Sequence, residues 1–191
     1  MDYVAHAWAP AILTVVLVAA AIADLRTGKV HNRLTYPAIA VGLIGHTLCG
    51  LLADNEVSMG LYGSLAGLAV GFLPMLGVWM AGGIGGGDVK LMAAVGALSG
   101  WRFAVMALFY GLIVAAVMAF VVMIRRRIVG RTLGRILRFC LLLFTPTRPA
   151  DPATPESPTV PFGFALCIGS ALALAELLIF GPGAKKLLLG I

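Results

Sequence analysis

The sequence predicts an all-α, polytopic membrane protein with about six transmembrane helices and its N-terminus outside, on three observations. First, 61% of the 191 residues are hydrophobic and 12% charged, with a mean hydropathy of +1.02, too little polar surface for a soluble domain. Second, uncharged apolar stretches recur at 8–23, 34–53, 57–82, 89–98, 103–124 and 162–175, and about 20 residues make one crossing. Third, the positive charges sort to one side. With six spans, Arg26, Lys29, Arg33, Lys90, Arg125, Arg126, Arg127, Arg131, Arg135, Arg138 and Arg148 fall in inner loops, and only Arg102, Lys185 and Lys186 fall outside.

Each element has its own signals. The first stretch ends near Asp24. It is read as a retained helix and not a secretory signal, because residues 1–8 carry Asp2 and no Lys or Arg. The second opens with helix-start signals at Asn32 and Thr35-Tyr36-Pro37. The third runs into the glycine-rich segment 82–87, and the fourth is a short helix from Asp88 that breaks at Ser99-Gly100-Trp101-Arg102. Fusing the fourth with the fifth would move the arginine-rich segment after 124 outside, against the positive-inside rule. The last helix starts at Pro161-Phe162-Gly163-Phe164. The chain is read as one domain, 1–191, with a cytoplasmic loop at 125–161.

That loop has two parts. Residues 125–138 hold six arginines interleaved with Ile128, Val129, Leu133, Ile136 and Leu137 and no acid, the pattern of an interfacial helix on anionic lipid; a plain topogenic loop is the alternative. Prolines 146, 149, 152, 155, 158 and 161 then repeat every third residue, which places them along one edge of a polyproline II spacer. Nucleic-acid binding is not expected this close to a bilayer. Cys49, Cys140 and Cys167 form no C-x-x-C pair and read as small buried hydrophobes. His46 and Glu176, polar residues inside spans, are expected to face neighbouring helices or the outer interface.

The chemistry points to Asp24 and Asp88. The topology brings both to the inner face, together with the start of the last helix, and two carboxyls at one depth in an apolar setting are candidates to share a proton. Such a pair supplies both a base for water and an acid for a carbonyl, which amide hydrolysis needs. The plainer alternative is that Asp24 ends one helix and Asp88 caps another. Gly85, Gly86 and Gly87 before Asp88 leave room for close approach of another chain; a glycine hinge for tight helix packing is the structural alternative. Neither the phosphate-loop nor the dinucleotide pattern is met, since Lys90 follows Val89 and no glycine stands at 88 or 90. Lys90 is read as an inner-boundary marker that points away from Asp88.

Gly85-Gly86-Gly87-Asp88-Val89-Lys90-Leu91 resembles the G-x-G-D motif of the prepilin peptidases, or type IV leader peptidases. Asp24-Leu25-Arg26-Thr27-Gly28-Lys29-Val30-His31-Asn32 is similar to their first-aspartate motif, and Val160-Pro161-Phe162-Gly163-Phe164 to the Pro-aromatic-Gly stretch that opens their last helix. The resemblance implies an aspartic endopeptidase of the bacterial inner membrane. Its catalytic pair would be Asp24 and Asp88, and its site region would include Gly85, Gly86, Gly87, Asn32, Pro161 and Gly163. It implies no cofactor and no metal. Its substrate would be a prepilin or pseudopilin whose basic leader is removed at the cytoplasmic face.

Two departures stand out. His31 occupies the position where the family usually has proline, and is read as part of the turn after Asp24. The paired C-x-x-C motifs of the longer members, associated with N-methylation, are not in the sequence, so the resemblance is to the short, peptidase-only form found with Flp-type pili. The rival classes are a small proton-coupled transporter, which would show inverted repeats and carboxyls near the midplane, and a non-catalytic secretion assembly factor, which would not need both aspartates.

Overall fold

The computed structural model describes residues 8–52, 57–127, 130, 134 and 161–180. Most of the basic segment, the prolines before Pro161, residues 53–56, Cys140, Lys185 and Lys186 lie outside the described residues. Contacts divide the chain into two compact units, 1–114 with 161–191, and 115–160. Among the described residues the chain is all-helical: α1 (Trp8–Thr27), α2 (Asn32–Leu52), α3 (Val57–Met80), α4 (Gly86–Arg125) and α5 (Phe162–Phe180). All five are long and apolar enough to cross a bilayer.

The 40 residues of α4 would extend about 60 Å as one rod, twice the thickness of a hydrocarbon core. They do not form one rod. Gly100 has φ 80° and ψ 172°, a backbone state that L side chains rarely adopt and that no helix can pass through. The contacts of the two arms show that the chain turns back there. Gly163 of α5 lies against Asp88, and six residues on, Gly169 lies against Gly111. Six helical residues span about 9 Å, whereas a straight α4 would carry Gly111 about 35 Å from Asp88. The sequence break at 99–102 is thus a true reversal, which splits the fourth element into two arms. The arm 86–99 is the short one, about 21 Å.

A helix that ends inside an apolar body leaves its last carbonyls without donors. Neighbouring helices supply them. Buried Ser64 of α3 donates to the Ala97 carbonyl at 2.6 Å, and His46 Nε2 of α2 lies 2.9 Å from the Leu98 carbonyl. These are the positions whose fourth residue onward lies beyond Gly100. His46, which the sequence leaves without a role, is therefore a cap for a broken helix, with Trp8 of α1 packed over its ring at 5.3 Å.

Small residues let the arm 86–99 sink between its neighbours. Gly67 and Gly96 meet backbone to backbone, Gly71 meets the Met92 carbonyl, and a methyl on Gly42 would stand 2.7 Å from the Ala97 carbonyl carbon. Such spacing allows the short approach that packing between membrane helices relies on. The arm is accordingly buried: Leu91, Met92, Ala94, Val95, Ala97 and Leu98 are fully enclosed, and the core around them takes in Leu13, Val16 and Leu17 of α1 and Leu166 of α5. The other helices and the second arm of α4 turn valine, leucine and phenylalanine outward, including Val15, Leu73 and Phe109, as lipid contact requires.

Ser64→Ala would leave the enclosed Ala97 carbonyl without its donor. We expect a loss of about 1–2 kcal/mol in unfolding stability, measured by denaturant titration in detergent micelles. An unchanged midpoint would show that the carbonyl does not depend on Ser64.

Candidate active site

Three chain segments meet at one end of the first unit. The first is the last turn of α1. Asp24 lies inside this helix, which continues to Thr27 and ends where Gly28, at φ 62°, returns its N–H to the Asp24 carbonyl at 2.8 Å. This is the left-handed glycine stop that helices commonly use. Thr27 adds a hydroxyl bond to the Ala23 carbonyl at 2.8 Å and one to the Lys29 carbonyl at 3.1 Å, so the chain leaves α1 in a defined direction.

The second segment joins α3 to α4. Gly82, at φ 78°, donates to the Trp79 carbonyl at 2.9 Å, and Gly83 donates to the Val78 carbonyl at 3.0 Å, the paired bonds of a Schellman stop. The glycine run therefore contains the C-terminal stop of one helix and the start of the next. Asp88 donates its N–H to the Gly85 carbonyl at 3.1 Å, which makes Gly85 the helix cap. Asp88 stands in the first turn, where its carboxyl accepts a hydrogen bond back from the Gly85 backbone, so it helps to cap this helix start while it faces the other acid.

The third segment is the start of α5, where Pro161 accepts the Ala165 N–H at 3.3 Å. The N–H of Phe164 donates to Asp24 Oδ2 at 2.7 Å. Asp24 thus caps the N-terminus of a helix that is 140 residues away in sequence. Gly163, one residue earlier, lies against both acids. A methyl there would stand 2.8 Å from Asp88 Oδ1 and 3.0 Å from both Asp24 Cγ and Oδ2. The two carboxyls consequently lie no more than about 6 Å apart, the range over which acids influence each other directly. Both are buried, Asp24 at 5% and Asp88 at 8% exposure. Two enclosed acids this close can share one proton and so offer a base and an acid side by side.

The other residues singled out in the sequence fall into two groups. Gly163 touches the acids, Gly85 lies beside Asp88 with space for a methyl only 3.3 Å from its Oδ2, and Gly87 is pressed against Val30. Gly86 faces the Trp79 indole, and Asn32 accepts a hydrogen bond from Lys90 Nζ at 2.8 Å. Pro161 acts through its carbonyl. His31 is exposed, and its carbonyl accepts the N–H groups of Leu34 and Thr35 at 3.0 and 3.4 Å, so it occupies the cap position of α2. Pro37 does not open α2 but sits inside it, where its missing N–H leaves the Arg33 carbonyl free.

Sequence reasoning missed the Phe164 N–H, since a backbone donor leaves no residue signature. It also missed the Tyr110 hydroxyl bond to Glu176 Oε2 at 2.6 Å, which gives the intramembrane acid of α5 a partner on the second arm of α4. Cys167, on α5 one turn beyond Gly163, is buried, as expected of a small hydrophobe.

Comparison with known proteins bears on the same residues. Residues 11–120 match the model of the type IV leader peptidase family, a span that contains both aspartates. The prepilin leader peptidase/N-methyltransferase of Escherichia coli (strain K12) is 36% identical over 84 residues, covering 42% of this chain and 36% of that protein. The chain thus aligns with little more than a third of its relative's length. No solved structure matches it.

The space around Gly163 makes it the most sensitive small residue of the site. Gly163→Ala should displace one or both carboxyls and lower turnover roughly a hundredfold, while Gly77→Ala, where a methyl meets nothing within 4 Å, should leave it intact. Equal turnover in the two variants would show that the acids do not need the contact. His31→Pro keeps the carbonyl that caps α2 and narrows the unfolded ensemble, so turnover should be retained or raised; a strong loss would assign the imidazole a direct part.

Proposed function

The chain belongs to the type IV leader peptidase family, and on that footing we propose that it is an aspartic endopeptidase that removes the basic leader from prepilins or pseudopilins, with Asp24 and Asp88 as its catalytic pair. The observation that carries this reading is the meeting of both buried carboxyls at Gly163. One carboxylate takes a proton from water as it attacks the scissile carbonyl carbon. The other, carrying the pair's shared proton, gives it to the carbonyl oxygen. The resulting diol collapses as the amide C–N bond breaks, the leaving nitrogen takes a proton from the pair, and the pair returns to its starting state.

The acids lie near helix ends, which suits a bond between a polar leader and an apolar helix better than a transporter's midplane site. Arg26, Lys29, Arg33 and Lys90 cluster in sequence around the same helix ends, which supports a cytoplasmic orientation in a bacterial inner membrane. In this reading residues 1–191 act as one peptidase domain with both ends of the chain outside. The basic residues of the 125–161 loop rest on anionic lipid. Gly85, Gly86 and Gly87 offer backbone to an extended substrate, as an added strand would need, and Asn32, Pro161 and Gly163 complete the surrounding wall. No metal or cofactor enters the reaction, and the mature product keeps a free N-terminal amine, in keeping with the absence of C-x-x-C pairs in the sequence.

Asp24→Asn and Asp88→Asn, each co-expressed with a prepilin, should abolish cleavage while membrane insertion stays normal; retained cleavage in either variant would remove that residue from the pair. In the same cells, mass spectrometry of pilin matured by the wild-type chain alone should show an unmodified amine. Quantitative methylation would contradict the peptidase-only reading.

A further inference from the structure

Lys90 stands just past the first turn of the arm 86–99, two residues from an acid that it does not pair with. Its Nζ instead donates to Asn32 Oδ1 at 2.8 Å and lies 5.0 Å from the centre of the Tyr36 ring. Both partners belong to the first turns of α2. The two contacts tie the start of α2 to the helix that carries Asp88.

The partners explain the use. Between Asp24 and Asn32 runs a short strap, Gly28-Lys29-Val30-His31. It is held at its beginning by the Gly28 bond to Asp24 and at its middle by Val30, which is buried. Val30 packs on the residue before Asp88: a methyl on Gly87 would stand 2.7 Å from the Val30 carbonyl oxygen and 3.2 Å from its Cβ. Apolar contact alone lets such a strap slide. The directed bond from Lys90 to Asn32 pins its far end to the first turn that carries Asp88, and the Tyr36 face holds the ammonium in place. The strap leaves the helix whose last turn carries Asp24, and the helix it is fastened to presents Asp88.

We propose that Lys90 is a positioning residue for the aspartate pair: through Asn32 it locks the 28–31 strap to the first turn of α4 and thereby sets the separation of Asp24 from Asp88. This rests on the peptidase reading above. Lys90 does not touch the reacting atoms, and the contribution of its positive charge to the acids is secondary to the bond.

The experiment is steady-state cleavage of a prepilin in detergent by wild type, Lys90→Met, Lys90→Arg, Asn32→Leu and the Lys90→Met/Asn32→Leu pair. Lys90→Met and Asn32→Leu should each lower kcat about tenfold or more with KM within about twofold, since misplacement of the acids by a fraction of an ångström acts on the chemical step. The double variant should be no worse than the poorer single one, as expected for two ends of one contact. Lys90→Arg, which retains a donor, should recover most of the loss. A kcat for Lys90→Met within twofold of wild type, losses that multiply in the double variant, or no recovery with arginine would each overturn the proposal. If Lys90→Met does not accumulate, Asn32→Leu and Lys90→Arg decide it by the same criteria. Failure of the peptidase reading is separately visible, because wild type itself would then not cleave the prepilin, and failure of the aspartate pair because Asp24→Asn or Asp88→Asn would retain cleavage.

Discussion

The 2.7 Å bond from the Phe164 N–H to Asp24 Oδ2 joins the first membrane helix to the last, and the position of every other group in the site depends on it. A carboxyl in an apolar body needs donors, and the first turn of a helix has N–H groups without partners. Each need is met by the other. Once Asp24 is seated on the start of α5, Gly163 is brought against it, and only a residue without a side chain leaves room there for Asp88. The pair is therefore assembled by helix ends and not by a loop folded over them.

The second constraint is length. Asp88 must enter at the same level as Asp24, yet by Gly111 the chain must have turned back to lie against Gly169 of α5. A break at Gly100 solves this and creates a cost, the unsatisfied carbonyls at the end of the short arm. Ser64 and His46 offset it from two different helices. The polar residues at the far end and the acids at the near end are thus two halves of one arrangement, the first holding the arm whose other end carries Asp88. Glycine contacts with α2 and α3 along its length, at Gly42, Gly67 and Gly71, keep the arm from tilting.

Much of this was legible in the sequence. Apolar stretches marked the helices, and Ser99-Gly100-Trp101-Arg102 between two of them, with the charge bias, marked the reversal. Asp24, Asp88 and Gly163 stood out because each interrupts or opens an apolar run at one end. The tight glycine packing had a signal too, in the four-residue spacing of Gly67 and Gly71 and of Gly96 and Gly100. What could not be read were pairings across the fold. His46 and Ser64 look like isolated polar residues until the carbonyls they serve are known, and Lys90 looks like a boundary marker until Asn32 and Tyr36 are beside it. Pro37 misled as a helix-start signal, since His31 already caps α2 five residues after Arg26 and the tertiary contacts of Val30 outweigh the local preference.

The central claim is that residues 24 and 88 face each other across a narrow gap in the folded membrane protein. It can be measured without any assumption about the reaction. In a chain with Cys49, Cys140 and Cys167 changed to alanine, Asp24→Cys and Asp88→Cys can be introduced together and treated with a short bifunctional thiol reagent in intact membranes. The account predicts rapid, near-complete cross-linking within one chain, and a sharp fall when Gly163→Leu fills the gap. Free thiols at both positions after exhaustive treatment, or linkage only between separate chains, would contradict it.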